Sequence, residues 1–260
     1  MGSTECICFD TATCCEIGSA TPTTMPPSLG GPFGECYQQT NPNPQRETMR
    51  APWKAFTDWV KDDVQPPPSA VPRLRDGTLV PPPQVNFPSI PANNYEQISR
   101  PAVTFLALAN PLRVRNRGPL FNGEDQSGII TIEPPQVVGT GQYMILVPQV
   151  DADGDDLGGV RSPTLQAPLG TYTGWNLGRA DRWPNHLCSL SGSFIPFAET
   201  RAERMLVGDP RPSLEERYGA HAGYVAAVRA ATNRLVGQRL LLPADAARLI
   251  SEAEASDVLR

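Results

Sequence analysis

Lysine and histidine are nearly missing from this chain. Lys54 and Lys61 are the two lysines among 260 residues, and His186 and His221 the two histidines. No run of clustered Lys and Arg occurs, and the formal net charge is −5. A sequence-independent grip on phosphates needs such clusters, so no nucleic-acid partner is expected. No apolar run approaches the ~20 residues of a membrane-spanning helix, so no membrane span is expected. The opening Met1-Gly2-Ser3-Thr4-Glu5 has neither the basic start nor the apolar continuation of a secretory leader. No serine has a glycine two positions before it, so the G-x-S-x-G nucleophile elbow is absent. Gly192-Ser193 lacks that spacing, and Ser193 reads as structural. Without a nucleophile and an orienting acid, His186 and His221 read as surface or capping residues rather than general bases.

Proline is what the chain has in excess. Its 29 prolines are more than twice the usual share of roughly 5%, and they concentrate before residue 170. Proline fixes φ and removes a backbone donor. The first half is therefore expected to run as extended segments over a surface rather than as long helices or central strands. Hydrophobic residues at 40% allow a core, and charged residues at 19% are too few for a generally disordered chain. Cys6, Cys8, Cys14 and Cys15 crowd the start, without the spacing of zinc half-sites. Cys36 and Cys188 stand far apart, and spacing does not decide whether they meet as a disulfide.

Periodicity organises the rest. Met49, Trp53, Phe56 and Val60 recur at helical spacing and predict a helix over about 45–63, with its regular part starting near Pro52. Gln65-Pro66-Pro67-Pro68 ends it. Residues 65–120 are Pro-punctuated, with a tight turn at Arg75-Asp76-Gly77-Thr78 and a short apolar element over Val103–Ala109. The β signal lies at 128–132 and 143–147. Ser213-Leu214-Glu215-Glu216 fits a capping box. Beyond it, Tyr224, Val225, Val228, Ala231, Thr232 and Leu235 line one helix face. Pro243 opens a second helix that buries Ala246, Leu249, Ile250 and Ala253, which makes an αα-hairpin.

Two segments invite a site. Asp151-Ala152-Asp153-Gly154-Asp155-Asp156 alternates carboxylates, yet its Gly is fourth and Ser162 stands at the twelfth position. A calcium loop of the EF-hand type needs Gly sixth and Glu twelfth, so the segment reads as a polar hairpin loop and no metal ligand is assigned. Tyr172-Thr173-Gly174-Trp175-Asn176-Leu177 clusters aromatic, small and amide residues. Tyr172, Trp175 and Asn176 are the candidate substrate-binding residues, against ordinary packing at a core edge. No cofactor-binding residue is expected.

Blocks along the chain resemble one family. They are Gly34-Glu35-Cys36 with Asn41-Pro42-Asn43-Pro44; Pro72-Arg73-Leu74 with Asp76 through Pro81; Val150 through Gly154; Thr171 through Leu177; Gly192 through Ala198; and Gly208 through Tyr218, running on to Val258. In this order they resemble the C-terminal portion of the large bacterial alpha/beta hydrolase domain-containing proteins, over about residues 30–260. The resemblance implies a serine-hydrolase domain upstream that acts on a carboxylic ester or related bond, with its nucleophile outside this chain. It also implies a histidine turn of Thr-Gln-His-Gly type before Cys36. Thr13-Cys14-Cys15-Glu16-Ile17-Gly18 stands there instead, so no family catalytic residue maps onto this chain.

The expected fold is an α+β fragment. Residues 1–64 would be the end of an α/β-hydrolase-like domain, carrying its last helix. Residues 65–260 would be a Pro-rich extended wrap with short β-hairpins, ending in the αα-hairpin. The expected partners are the upstream part of the same parent protein and a small ester substrate. The other expectation is a non-catalytic scaffold or partner-binding module that uses the aromatic segment or the helices.

Overall fold

The computed structural model describes residues 36–43, 45–95, 98–105, 112–179, 181, 186–188 and 192–260. In chain order the elements are α1 (Gln45–Asp62), β1 (Leu79–Val80), β2 (Asn93–Tyr95), β3 (Ile98–Arg100), β4 (Arg113–Asn116), β5 (Gln136–Gln142) and β6 (Val147–Pro148). They continue with α2 (Pro163–Gln166), β7 (Gly170–Thr173), β8 (Ser193–Pro196), α3 (Arg201–Val207), α4 (Leu214–Tyr218), α5 (His221–Gly237) and α6 (Pro243–Ala255). The strands form four antiparallel pairs: β1–β6, β2–β3, β4–β5 and β7–β8. The architecture is mixed α+β, with small separate sheets.

Every residue of β7 and β8 is buried. Gly170 faces Pro196 and Thr173 faces Ser193 in their ladder. Residues 36–41 run beside this hairpin. Tyr37 N donates to Leu177 O at 2.9 Å, and Phe194 N to Gln39 O at 2.8 Å. Cys36 and Cys188 meet as a disulfide, which settles what spacing left open.

The helical hairpin forms as periodicity predicts. Val228, Ala231, Thr232 and Leu235 are the buried face of α5. Ala246 and Ala253 are buried on α6, with Leu249 and Ile250 half-buried. Leu235, Leu241 and Ala246 pack on Val160, while Val228 and Ala253 pack on Ala167. The hairpin thus closes over the chain just before β7. The Ser213 capping box is real: its Oγ accepts from Glu216 N, and the Glu216 side chain accepts from Ser213 N. It starts the five-residue α4, however, and not the hairpin. Gly219, at φ 69°, ends α4 before α5 begins.

Two expectations are corrected. First, helix α1 starts at Gln45 and runs through Pro52, so proline does not mark its start. Ion pairs tie the helix to α6: Arg50 pairs with Asp245 at 3.0 Å, and Arg248 pairs with Glu47. The apolar stripe of α1 is not the side it buries in this chain. Ala51 and Ala55 are buried, whereas Met49, Phe56 and Val60 are exposed and Trp53 is 72% exposed. Second, residues 128–132 form no strand beyond a bridge at Gly128. Between Gln142 and Val147 the chain is irregular, so the 143–147 signal becomes only the end of a strand pair. Ile129, Ile130 and Met144 are exposed, so no packing rewards extension there. Of the Val103–Ala109 element, Val103 bridges Ile90, and residues 106–109 lie outside the described residues.

Candidate functional site

The 172–177 segment is held from below by ionic and amide groups. Gly170 permits the close β7–β8 approach, since a Cβ there would lie 2.5 Å from Ile195 O. Thr171 Oγ1 donates to the carbonyl of Asp153 and accepts from Arg211 Nη1 at 2.9 Å. Tyr172 N donates to Asp155 Oδ1 at 2.7 Å. The Tyr172 ring stacks at 5.1 Å on Phe194, and burial pushes its phenol well above the usual range. Trp175 is half-buried, 5.9 Å from Phe87, against the Ile90, Val103 and Ile195 cluster. Asn176 is fully buried. Its Nδ2 donates to Gln38 O at 2.9 Å and Gly192 O at 3.2 Å, and its Oδ1 accepts from Gln38 N.

The three candidate substrate residues therefore lie in one buried stretch but face different neighbours. Asn176 sutures residue 38 to residue 192, Tyr172 closes on Phe194, and Trp175 fills the gap beside Phe87. None of them lines the groove of about 790 Å³ between residues 67–70 and α5.

The acidic loop is a tight turn in which the carboxylates of Asp151 and Asp153 are answered by arginines. Asp151 Oδ1 accepts from the N–H groups of Asp153 and Asp155, and Gly154 adopts φ 87°. Asp151 Oδ2 receives Arg161 at 2.6 Å, and Asp153 takes both arms of Arg217. Among the described residues, no group of three or more His, Cys, Asp or Glu is placed to hold a metal ion.

A buried ion pair, not singled out in the sequence, sits at the centre. Arg211 is 1% exposed. It donates to Asp209 through Nε at 3.0 Å and Nη2 at 2.6 Å, and to the carbonyls of Ile195 and Pro196. The Phe197 ring lies 5.0 Å from the Arg211 guanidinium and 4.1 Å from that of Arg217. A signal existed in Asp209-Pro210-Arg211-Pro212, where two prolines fix the backbone around opposite charges.

Among the described residues, the hydroxyls near this segment pair with neighbours other than a histidine. Ser193 Oγ shares a 2.6 Å hydrogen bond with Thr173 Oγ1, and Ser162 Oγ donates to Asn43. His221 holds the carbonyl of Val258 at Nδ1 and lies 3.3 Å from that of Glu254 at Nε2, while His186 is exposed. No described serine shares a hydrogen bond with either histidine.

Residues 14–251 match the alpha/beta hydrolase domain family. The chain belongs to that family. No curated protein and no solved structure matches it. In this alpha/beta hydrolase domain, no helix among the described residues is long and apolar enough to cross a membrane.

Asp155 gives the domain a pH signature. Burial raises its pKa well above the ordinary 3.8, and the neighbouring Asp151 and Asp153 add to this against Arg161 and the Tyr172 N–H. Its Oδ2 is buried without a hydrogen-bond partner. A raised folded pKa contributes stability that is present below 3.8 and is lost as pH rises through the folded value. Asp155→Asn keeps the acceptor for Tyr172 N and cannot ionise. Urea midpoints across pH are expected to show the parent losing stability toward neutrality relative to the variant. Parallel curves would mean that Asp155 titrates as it does in the unfolded chain.

Proposed function

We propose that this alpha/beta hydrolase domain chain is the C-terminal part of a serine hydrolase that cleaves a carboxylic ester or a related bond, with the nucleophile outside these residues. In that reading, residues 1–64 end the catalytic domain and residues 65–260 wrap it. The observation that carries it is the apolar face of α1. Met49, Trp53, Phe56 and Val60 are exposed while α1 is anchored to α6 by ion pairs on another side. An apolar helix face of this kind is suited to cover a sheet, and no sheet covers it among the described residues. The locked hydroxyl of Ser193 supports the same reading.

The chemistry is acyl transfer. A serine hydroxyl adds to the carbonyl, preorganised N–H donors hold the oxyanion, its collapse expels the protonated alcohol, and water then hydrolyses the acyl-serine to release the acid and restore the serine. The residues described here take part by positioning. Asn176 and Tyr172 rigidify the segment that carries Trp175, whose half-buried ring is the one of the three with surface left to meet a substrate.

A fluorophosphonate probe tests this on two proteins, the 260-residue chain and a longer one extended by the upstream coding sequence. The chain is expected to stay unlabelled and inactive on short aryl esters. The longer protein is expected to be labelled at a serine before this chain begins. Labelling of Ser193, or no labelling of the longer protein, would sink the reading and favour a non-catalytic scaffold.

A further inference from the structure

The groove of about 790 Å³ lies on a part of the molecule that the hydrolase reading does not use. The Pro67–Ala70 stretch forms one wall, and Leu157 and Leu240 offer accessible apolar lining over the buried Val160, Leu165 and Leu235. Its size falls in the usual range for small-molecule sites, roughly 300–1,000 Å³. Five charged groups line it: Asp151, Asp153, Arg161, Arg217 and Arg234. Arg161 is paired with Asp151, and Arg217 with Asp153. Arg234 donates to Gln166, a neutral amide, and forms no ion pair among the described residues. Three cations against two anions leave the groove with one positive charge, in a chain whose net charge is −5.

We infer that this groove binds a small monoanionic amphiphile, a carboxylate with an aliphatic or aromatic body, whose head meets Arg234 while the body covers the apolar lining. A planar guanidinium matches a carboxylate with two parallel hydrogen bonds. A single unpaired cation suits a monoanion better than a phosphate dianion, which would bring surplus charge beside Asp151 and Asp153. The inference rests on the groove alone and holds whether or not the hydrolase reading does.

Octanoate is the probe, titrated calorimetrically into the full chain below its micelle-forming concentration and at low salt, with octanol and octylammonium alongside. Octanoate is expected to bind saturably at one site, well ahead of both controls. Arg234→Gln is expected to weaken it about tenfold, and Arg234→Lys, which keeps the charge but not the fork, to retain only part of it. Leu157→Asp is expected to abolish it, because Leu157 is exposed at the groove and its replacement sets a carboxylate against the ligand without emptying a core. Arg234 is exposed as well, so these variants leave the fold intact, and circular dichroism checks this. Absence of saturable octanoate binding to the folded chain overturns the inference. So does equal binding of octanol or octylammonium, or an Arg234→Gln variant that binds as the parent does.

Discussion

Arg211→Ala is expected to destabilise the chain by about 3–5 kcal/mol, the usual cost of removing one member of a buried ion pair. The reason is what it would strand. Asp209, itself buried, loses the two bonds from Nε and Nη2. The carbonyls of Ile195 and Pro196, at the end of the buried β7–β8 pair, lose donors that solvent does not replace. The Phe197 ring loses one of its two guanidinium neighbours. Arg211→Lys keeps the charge but not the fork, and is expected to recover only part of the loss. With whole domains stable by about 5–15 kcal/mol, the alanine variant should sit near the unfolding threshold. Urea denaturation followed by tryptophan fluorescence reads this. A loss under about 1 kcal/mol would show that the network relaxes around the gap and that the buried pair contributes little to stability.

The second large effect belongs to the Cys36–Cys188 bond, which joins positions 152 residues apart. In the chain-entropy account, closing a loop of that length lowers the entropy of the unfolded chain by an amount worth about 5 kcal/mol, before any native strain. The bond also clamps a seam that it shares with backbone bridges and the Asn176 amide. Cys36 bridges Gly178, Leu177 bridges Leu187, and Cys188 N donates to Asn176 O at 2.9 Å. The double variant Cys36→Ala/Cys188→Ala is expected to lower the urea midpoint sharply. Hydrogen exchange should speed up first at Tyr37, Gln38 and Phe194, with α5 and α6 following only at global unfolding. An unchanged midpoint would mean that the two cysteines do not hold this seam in solution.

What the sequence determined by itself is local. The hairpin of α5 and α6 was legible because Val228, Ala231, Thr232 and Leu235 repeat at helical spacing and Pro243 suits a first helical position. The Ser213 box and the Asp151 turn were legible because their hydrogen bonds close within four residues. The lack of a nucleophile elbow was equally readable. Family blocks from Gly34 to Val258 pointed to the alpha/beta hydrolase domain family that the match over residues 14–251 shows.

Tertiary structure decided which surfaces those local elements bury. Periodicity marks the apolar face of α1, yet Ala51 and Ala55 are what this chain covers, because α6 offers charges at Asp245 and Arg248 rather than a hydrophobic floor. Runs rich in β-forming residues pointed to 128–132 and 143–147, whereas the buried strands are β7 and β8. Strands buried on both faces show no alternation to read, and small residues such as Gly170 and Ser193 mask their burial. Asn176 reads as a ligand contact until Gln38 and Gly192, far away in sequence, arrive to occupy its amide. The pairings of Cys36 with Cys188 and Arg217 with Asp153 show the same division. A residue's type states what it can bond, but burial and the arrival of a distant partner depend on chain segments that share no local pattern with it.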